Sequence, residues 1–246
     1  SIPLMKFKQV SIFLFVFYFI SSALYSQVER EFETYDPLEN INRYTHTFNK
    51  SIDKNAIRPT SYAYGEYVPA LVRIPLKNFR NNLSEPKRFI NHILQRSFLD
   101  AGTDLSRFLI NSTIGLAGLI DVASLWEIYP KPTGFDQTFS SFYIPSGPYV
   151  ELPLFGPNSG RSTFGLIADY SLNPTKVITA GIDSVALIGL EATNLFQKRY
   201  EYGAVIDSTL YDSADSYLAS RNIFFQTRRK FDVDDFEMDA FDPYEE

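Results

Sequence analysis

The chain has 246 residues, with 29 acidic against 23 basic side chains and a formal net charge of −6, which argues against a basic nucleic-acid-binding face. It contains no Cys, so this sequence carries no thiolate metal site, no disulfide framework and no thiol for lipidation. Aromatic residues make up 16% of it, nearly all Phe and Tyr with the single Trp126, a composition suited to a core or to a membrane interface.

Lys6 and Lys8 precede an apolar run from Val10 to Ile20, and small and mixed residues follow to Ser26. This is the layout of a secretory signal peptide, predicted over residues 1–26, and the run is shorter than the about 20 residues of a spanning helix. Leu24-Tyr25-Ser26 reads like the start of a bacterial lipobox, but the lipid-bearing position holds Gln27. Cleavage is expected near Ser26 or Ala23, with retention at the membrane by other means. Residues 27–35 read as a polar linker.

Asp36-Pro37-Leu38-Glu39 predicts a helix start, with Asp36 as cap, Pro37 in the first position and Glu39 completing a capping box. Leu38, Ile41, Tyr44, Phe48 and Ile52 recur at helical spacing and make one apolar face, and Arg58-Pro59 ends the element. A second helix is predicted over about 69–83, carrying Leu71, Ile74, Phe79 and Leu83, with a kink or split at Pro75. Ser84-Glu85-Pro86 starts a third, with Phe89, Ile90, Ile93 and Leu94. A fourth covers about 98–111, with Leu105, Phe108 and Leu109 inward. The uncharged stretch from Phe108 to Ile120 is too short to span a bilayer and reads as core, or as a segment for one leaflet.

Residues 130–161 hold six Pro and four Gly interleaved with aromatic and aliphatic residues. A loop of that length is rarely passive, so an ordered, packed loop is predicted, with a short hairpin around Pro145-Ser146-Gly147. Helices are predicted again over 161–169, over about 174–202 (Val177, Ile178, Ile182, Val185 and Ala186 on one face, a break near Gly189), and over about 204–219 and 222–231. Residues 232–246 hold eight acidic and no basic side chains and read as a disordered tail.

Catalytic patterns are scarce. The two histidines, His46 and His92, have no zinc spacing, Gly156-Pro157-Asn158-Ser159-Gly160 only resembles a nucleophile elbow, and no phosphate-binding loop occurs. His46, near Asn42 and Asn49, reads as polar surface or lining. The residues describe an exported, mostly helical, aromatic-rich protein in which no enzyme signature is recognised.

The motifs are more specific in series. Asp36-Pro37-Leu38-Glu39, Asn42-Arg43, Phe48-Asn49, Arg58-Pro59, Tyr67-Val68-Pro69, Asn78-Phe79, Asn82-Leu83 and Glu85-Pro86 appear in order. Asn91, Leu94-Gln95, Asp104, Arg107-Phe108, Asn111-Ser112-Thr113, Gly115, Gly118-Leu119 and Asp121-Val122-Ala123 follow. The loop adds Phe135, Gln137-Thr138, Gly147-Pro148-Tyr149, Leu152-Pro153, Gly156-Pro157 and Arg161, and Asp215-Ser216-Tyr217 with Arg221 to Arg228 closes the series. Over residues 36–231 the chain resembles the MlaA (VacJ) family.

That resemblance implies an all-α, ring- or donut-shaped bundle of amphipathic helices with a long Pro/Gly-rich ordered loop, lying in the inner leaflet of the outer membrane around an amphipathic channel. It implies removal of phospholipid from the outer leaflet and delivery to a periplasmic lipid carrier, association with a trimeric porin, and no cofactor or nucleic acid. Two acyl chains resist leaving a membrane by on the order of 20 kcal/mol, at about 0.8 kcal/mol per CH₂. A useful channel therefore offers polar walls to the head while the tails stay in apolar surroundings. Candidate wall residues are Asn42, Asn49, Asn111 and Thr113. The family's glycine-rich loop, resembling aromatic-Gly-Val-Gly-x-Gly-Pro-Tyr, is here Phe142-Tyr143-Ile144-Pro145-Ser146-Gly147-Pro148-Tyr149. Tyr143, Pro145, Gly147 and Tyr149 are thus expected to form a stiffer gate. The alternatives are a porin-binding scaffold that moves no lipid, and a lipid-cleaving enzyme, for which no nucleophile with an adjacent base is recognised. The acidic tail is a candidate dock for a basic carrier surface.

Overall fold

The computed structural model describes residues 35–237 except 173, 175–178 and 182, with side chains described as far as residue 228. The expected leader, residues 27–34, the tail from 238 onward and the positions Val177, Ile178 and Ile182 lie outside the described residues. The chain forms α1 (Glu39–Ile52), a π-helical turn (Asp53–Ile57), α2 (Arg58–Tyr67), α3 (Ala70–Leu94), α4 (Phe98–Thr113), α5 (Val122–Leu125) and α6 (Phe135–Ser141). Strands β1 (Tyr149–Leu152) and β2 (Gly156–Ser159) follow, then α7 (Gly160–Ser171), α8 (Ser184–Glu201), α9 (Gly203–Asp207), a second π-helical turn (Ser208–Asp212) and α10 (Ser216–Glu237). The fold is mostly helical, with α3 packed on α4 and α8, α2 on α8, and α6 on α7.

The helical periodicities hold, but the faces are reversed. Of the apolar series on α1, Leu38, Ile41, Tyr44 (84% exposed) and Phe48 point outward and Ile52 is half-buried, while Asn42 (1% exposed), His46 and the adjoining Asp53 are buried. On α4, Ala101, Asp104, Arg107 and Asn111 are buried at spacings of three and four, and Leu105 and Leu109, expected inward, are exposed. On α3 the buried residues are Asn82, Glu85, Asn91 and His92, while Leu71, Ile74, Ile90, Ile93 and Leu94 are exposed. The Ile114–Ile120 turn, expected in the core, exposes Ile114, Leu116, Leu119 and Ile120. Among the described residues the buried apolar side chains are few, namely Ala101, Ala123, Phe135, Tyr149 and Tyr217. A helix presents its apolar stripe to whatever apolar medium is available, and a surface this apolar is stable where the surroundings are apolar too.

A polar interior survives only if each group is matched. Arg107 on α4 donates Nε to Glu85 Oε1 at 2.9 Å and Nη2 to Asp121 Oδ1 at 3.1 Å. Its Nη1 reaches Ser124 Oγ at 3.1 Å and the Ile128 carbonyl. Glu85 is also paired with Arg88 at 3.1 Å. Asn111 donates to Asp121 Oδ1 at 2.9 Å and accepts from the Ala123 N–H at 2.9 Å, which seats α5 on α4. His92 Nδ1 and Asp104 Oδ2, 2.5 Å apart, tie α3 to α4. Arg161 on α7 bonds Asp136 Oδ1 on α6 at 3.0 Å, and Arg228 from α10 reaches the same carboxylate.

Several expected boundaries shift for identifiable reasons. No side chain caps α1; Asp36 instead accepts from Asn42 at 2.8 Å, from Arg221 at 2.9 Å and from the Tyr217 hydroxyl, and Glu39 pairs with Arg43 at 2.7 Å. Arg58-Pro59 does not end the helix, because the π-helical turn precedes it and Pro59 sits in the first turn of α2, where a missing N–H costs nothing. Ser84-Glu85-Pro86 starts no helix; α3 runs through both Pro75 and Pro86, and the Ser84 hydroxyl donates to the Arg80 carbonyl at 3.1 Å. The late helices divide at Ser213–Asp215, α8 is unbroken at Gly189, and α10 extends to Glu237, so the acidic segment begins on a helix. The hairpin turns at Pro153–Phe155, with Leu154 at φ 67° and Gly156 at φ 72°. The expected turn at 145–147 instead docks on α7, whose Arg161 N–H donates to the Ser146 carbonyl at 2.9 Å.

Replacing Arg107 by Met removes the charge-assisted partner of the fully buried Glu85 Oε1 and loosens Asp121. The expected loss is about 3–5 kcal/mol of stability, read as a lowered denaturation midpoint in detergent.

Candidate functional site

A cavity of about 320 Å³ lies where α1, its π-helical turn, the hairpin, α8, α9 and α10 converge. Its wall is amphipathic. Ile52, Ile57, Leu154, Phe155, Leu195, Ile206 and Leu210 supply apolar surface, and His46, Asn49, Lys50, Asp53, Glu151, Lys198 and Arg199 supply polar groups.

The hairpin is held against α1 by two asparagines. Asn42 donates Nδ2 to the Tyr149 carbonyl at 3.1 Å, and its Oδ1 accepts from the Glu151 N–H at 2.9 Å. Asn49 repeats the pattern, donating to the Leu152 carbonyl at 3.0 Å and accepting from the Leu154 N–H at 2.8 Å. Seven helical residues rise about 10.5 Å, and three strand residues span about 10 Å. Asn42 thus fixes β1 itself, and Asn49, two helical turns on, fixes the turn that follows it.

Behind this clamp is a relay. His46 Nδ1 lies 3.1 Å from Glu151 Oε1, and His46 Nε2 lies 3.0 Å from Ser216 Oγ. The Tyr149 hydroxyl donates to Glu151 Oε2 at 2.6 Å, and burial, followed by that bond, raises its pKa. Ser216, His46 and Glu151 thus form the nucleophile–base–acid series that was not recognised in the sequence, with the spacing of a hydrolase triad. An oxyanion would need backbone donors, yet the N–H groups of Tyr217 and Leu218 both donate to Asp215 Oδ1, at 3.0 and 3.1 Å. Ser216 also lies outside the cavity wall. The relay is a clamp joining α1, β1 and α10, with Tyr217, Phe224 and Phe225 packed around Tyr149 at 5.7–5.9 Å between ring centroids.

On the opposite wall Arg199 donates Nε to Asp53 Oδ1 at 2.8 Å and Nη2 to Asp53 Oδ2 at 2.9 Å and Asp207 Oδ1 at 2.5 Å. Burial pulls the Arg199 pKa down, and these carboxylates more than reverse it. Arg58 donates to Asp207 Oδ2 at 2.8 Å and the Tyr211 hydroxyl to Asp53 Oδ2 at 2.7 Å. Burial alone would raise the Asp207 pKa, but bonds from Arg58 and then Arg199 hold it at about 2.

The proposed wall and gate residues are not gathered at one place. Asn49 lines the cavity; Asn42 and Asn111 are buried and committed to backbone and carboxylate partners, so they buttress rather than line. Thr113 is exposed at the end of α4, its hydroxyl bonded to the Leu109 carbonyl at 2.7 Å. Tyr149 is fully buried under α10. Tyr143 and Gly147 both have positive φ, 60° and 70°, and Pro145 is half-buried between them. Tyr143 thus keeps a left-handed conformation that suits glycine. Sequence reading missed Lys50, Glu151, Lys198 and Arg199. Asp53 and Arg199 are 146 residues apart, and no local periodicity signals such a pair.

The MlaA lipoprotein family model matches residues 34–231. The intermembrane phospholipid transport system lipoprotein MlaA of Escherichia coli (strain K12) is 32% identical over 199 residues, covering 78% of this chain and 76% of that one. A Rickettsia typhi protein is 30% identical over 197 residues, covering 80% and 77%. A solved structure reported as "Structural basis for maintenance of bacterial outer membrane lipid asymmetry" superposes with a TM-score of 0.68 at 28% identity, covering 81% of this chain and all of that one.

Because Asp207 has a folded pKa below its usual 3.8, its stabilisation is present above about pH 4 and is lost as pH falls toward 2. The wild type should lose about 2 kcal/mol through Asp207 across that window, and Asp207→Asn should flatten that part of the profile. Denaturation midpoints measured from pH 5 to pH 2 check this.

Proposed function

The chain belongs to the MlaA lipoprotein family, and on that premise we propose that it is the outer-membrane component of intermembrane phospholipid transport. It takes phospholipid from the outer leaflet and passes it to a periplasmic carrier, which keeps the membrane asymmetric. The observation that carries this reading is the reversal of polarity, with paired charges inside and Leu71 (88% exposed) and Leu99 (89% exposed) outside. Such a surface suits hydrocarbon, where isolated charges are costly and matched interior pairs are not penalised again. Among the described residues no helix is long and apolar enough to cross a membrane. A body that is apolar outside yet does not span fits within one leaflet, as a ring of amphipathic helices on the periplasmic side of the outer membrane.

The cavity's lining fits the same reading, because a wall of mixed polar and apolar groups offers partners to a lipid head group and to the first methylenes of its chains. The exposed apolar surface holds the protein in the membrane and offers a trimeric porin a face to pack against.

Deleting the gene from its host should raise phospholipid in the outer leaflet without accumulating lipid-cleavage products, and this sequence should restore asymmetry. Unchanged asymmetry after deletion would instead support a porin-binding scaffold, and cleavage products would support an enzyme.

A further inference from the structure

Most buried charges of this interior are paired, and the buried polar atoms without a hydrogen-bond partner, such as Asn82 Oδ1, Asp104 Oδ1 and Arg221 Nε, are spread through it; the cavity is set apart by its lysines. Its wall carries three cations, Lys50, Lys198 and Arg199, against two carboxylates, Asp53 and Glu151. Both carboxylates are taken. Asp53 accepts from Arg199 and Tyr211, and Glu151 from Tyr149 and Asn49, with His46 at hydrogen-bond distance. Among the described residues no carboxylate pairs with either lysine. Lys50 Nζ donates to Ser216 Oγ at 3.2 Å and lies 5.6 Å from the Tyr211 ring centroid. Arg199, itself 4% exposed, keeps a buried Nη1 with no hydrogen-bond partner.

Lys198 is the more telling of the two lysines. Its neighbours on α3 are cations, and the nearby acids are engaged by them: Arg80 pairs with Glu191 at 3.3 Å and Lys77 with Glu201 at 2.8 Å. Desolvation, followed by the charge of Arg80, pulls the Lys198 pKa below the usual lysine value. Lys198 is exposed to solvent at the cavity wall, so an anion can reach it and bring one negative charge and several acceptor oxygens.

We propose that Lys198 and Lys50 bind the phosphate of a phospholipid head group inside the cavity, making them the residues by which this chain holds a charged lipid in preference to a neutral one. This rests on the transport reading above. A single phosphodiester brings Lys50 and Lys198 the negative charge and acceptor oxygens that no carboxylate supplies to them, and Ile52, Ile57, Leu154 and Phe155 meet the glycerol and the first methylenes.

The test uses the full chain in detergent, with fluorescent phosphatidylglycerol, fluorescent diacylglycerol bearing the same acyl chains, and inorganic phosphate as probes. The Lys50→Gln/Lys198→Gln double variant should bind phosphatidylglycerol about tenfold more weakly or worse, the scale of losing one charge-assisted contact. It should bind diacylglycerol within about twofold of wild type, and Lys198→Arg should retain phosphatidylglycerol binding. Unchanged phosphatidylglycerol binding in the double variant, or equal loss of both lipids, overturns the proposal while leaving transport standing. Inorganic phosphate bound as tightly as phosphatidylglycerol overturns the head-group assignment. A wild-type protein that takes up neither lipid removes the transport reading and this one together.

Discussion

The buried guanidinium groups of Arg107, Arg161 and Arg199 are the constraint from which the rest of the structure follows. Each joins two different helical elements, Arg199 across 146 residues, and each does so by satisfying at least one carboxylate. Burying such pairs gives little net stability relative to a well-packed apolar interior, but removing one partner leaves an uncompensated charge and costs several kcal/mol. Such an interior therefore enforces particular helix pairings. It also removes the usual reason for apolar side chains to face inward, because the interior offers them few partners.

The two faces of α1 show the consequence. One face carries Ile41, Tyr44 and Phe48 outward; the other carries Asn42, His46 and Asn49 against β1. Asn42 holds β1 and Asn49 the hairpin turn, His46 links the hairpin to α10, and the adjoining Asp53 anchors Arg199 on α8. The cavity lies among these clamps, so its polar wall is positioned by the contacts that hold the fold. Lys50 and Lys198 depart from that logic, since among the described residues neither pairs with a carboxylate, although Lys50 also donates to Ser216 Oγ in the relay.

Helix periodicity and approximate element placement were legible in the sequence because spacings of three and four residues depend only on helix geometry. Which face turns inward was not. Leu105 and Leu109 were expected inward because water is the usual solvent for such reasoning, and the arrangement inverts when the surroundings are apolar. The ordered motif series from Asp36 to Arg228 marked the family, although Asp36 turned out to bind Tyr217 and Arg221 rather than cap α1. The cavity was least legible. Its wall draws on α1, the hairpin, α8 and α9, and only Asn49 and His46 drew attention as candidate lining. Prolines also misled in both directions: Pro75 and Pro86 sit within one continuous helix, while Pro153 borders the actual hairpin turn.

The proposed placement has the apolar exterior facing hydrocarbon and the half-polar cavity wall open to water. Because the sequence contains no Cys, single cysteines can be introduced at Leu71, Leu99 and Val185 on the outer surface and at Leu154 in the cavity wall, then spin-labelled in outer-membrane vesicles or reconstituted bilayers. The account predicts that labels at the three outer positions are relaxed by oxygen and shielded from a water-soluble nickel chelate, while the label at Leu154 is relaxed by the chelate. Strong relaxation by the chelate at all four positions would contradict it.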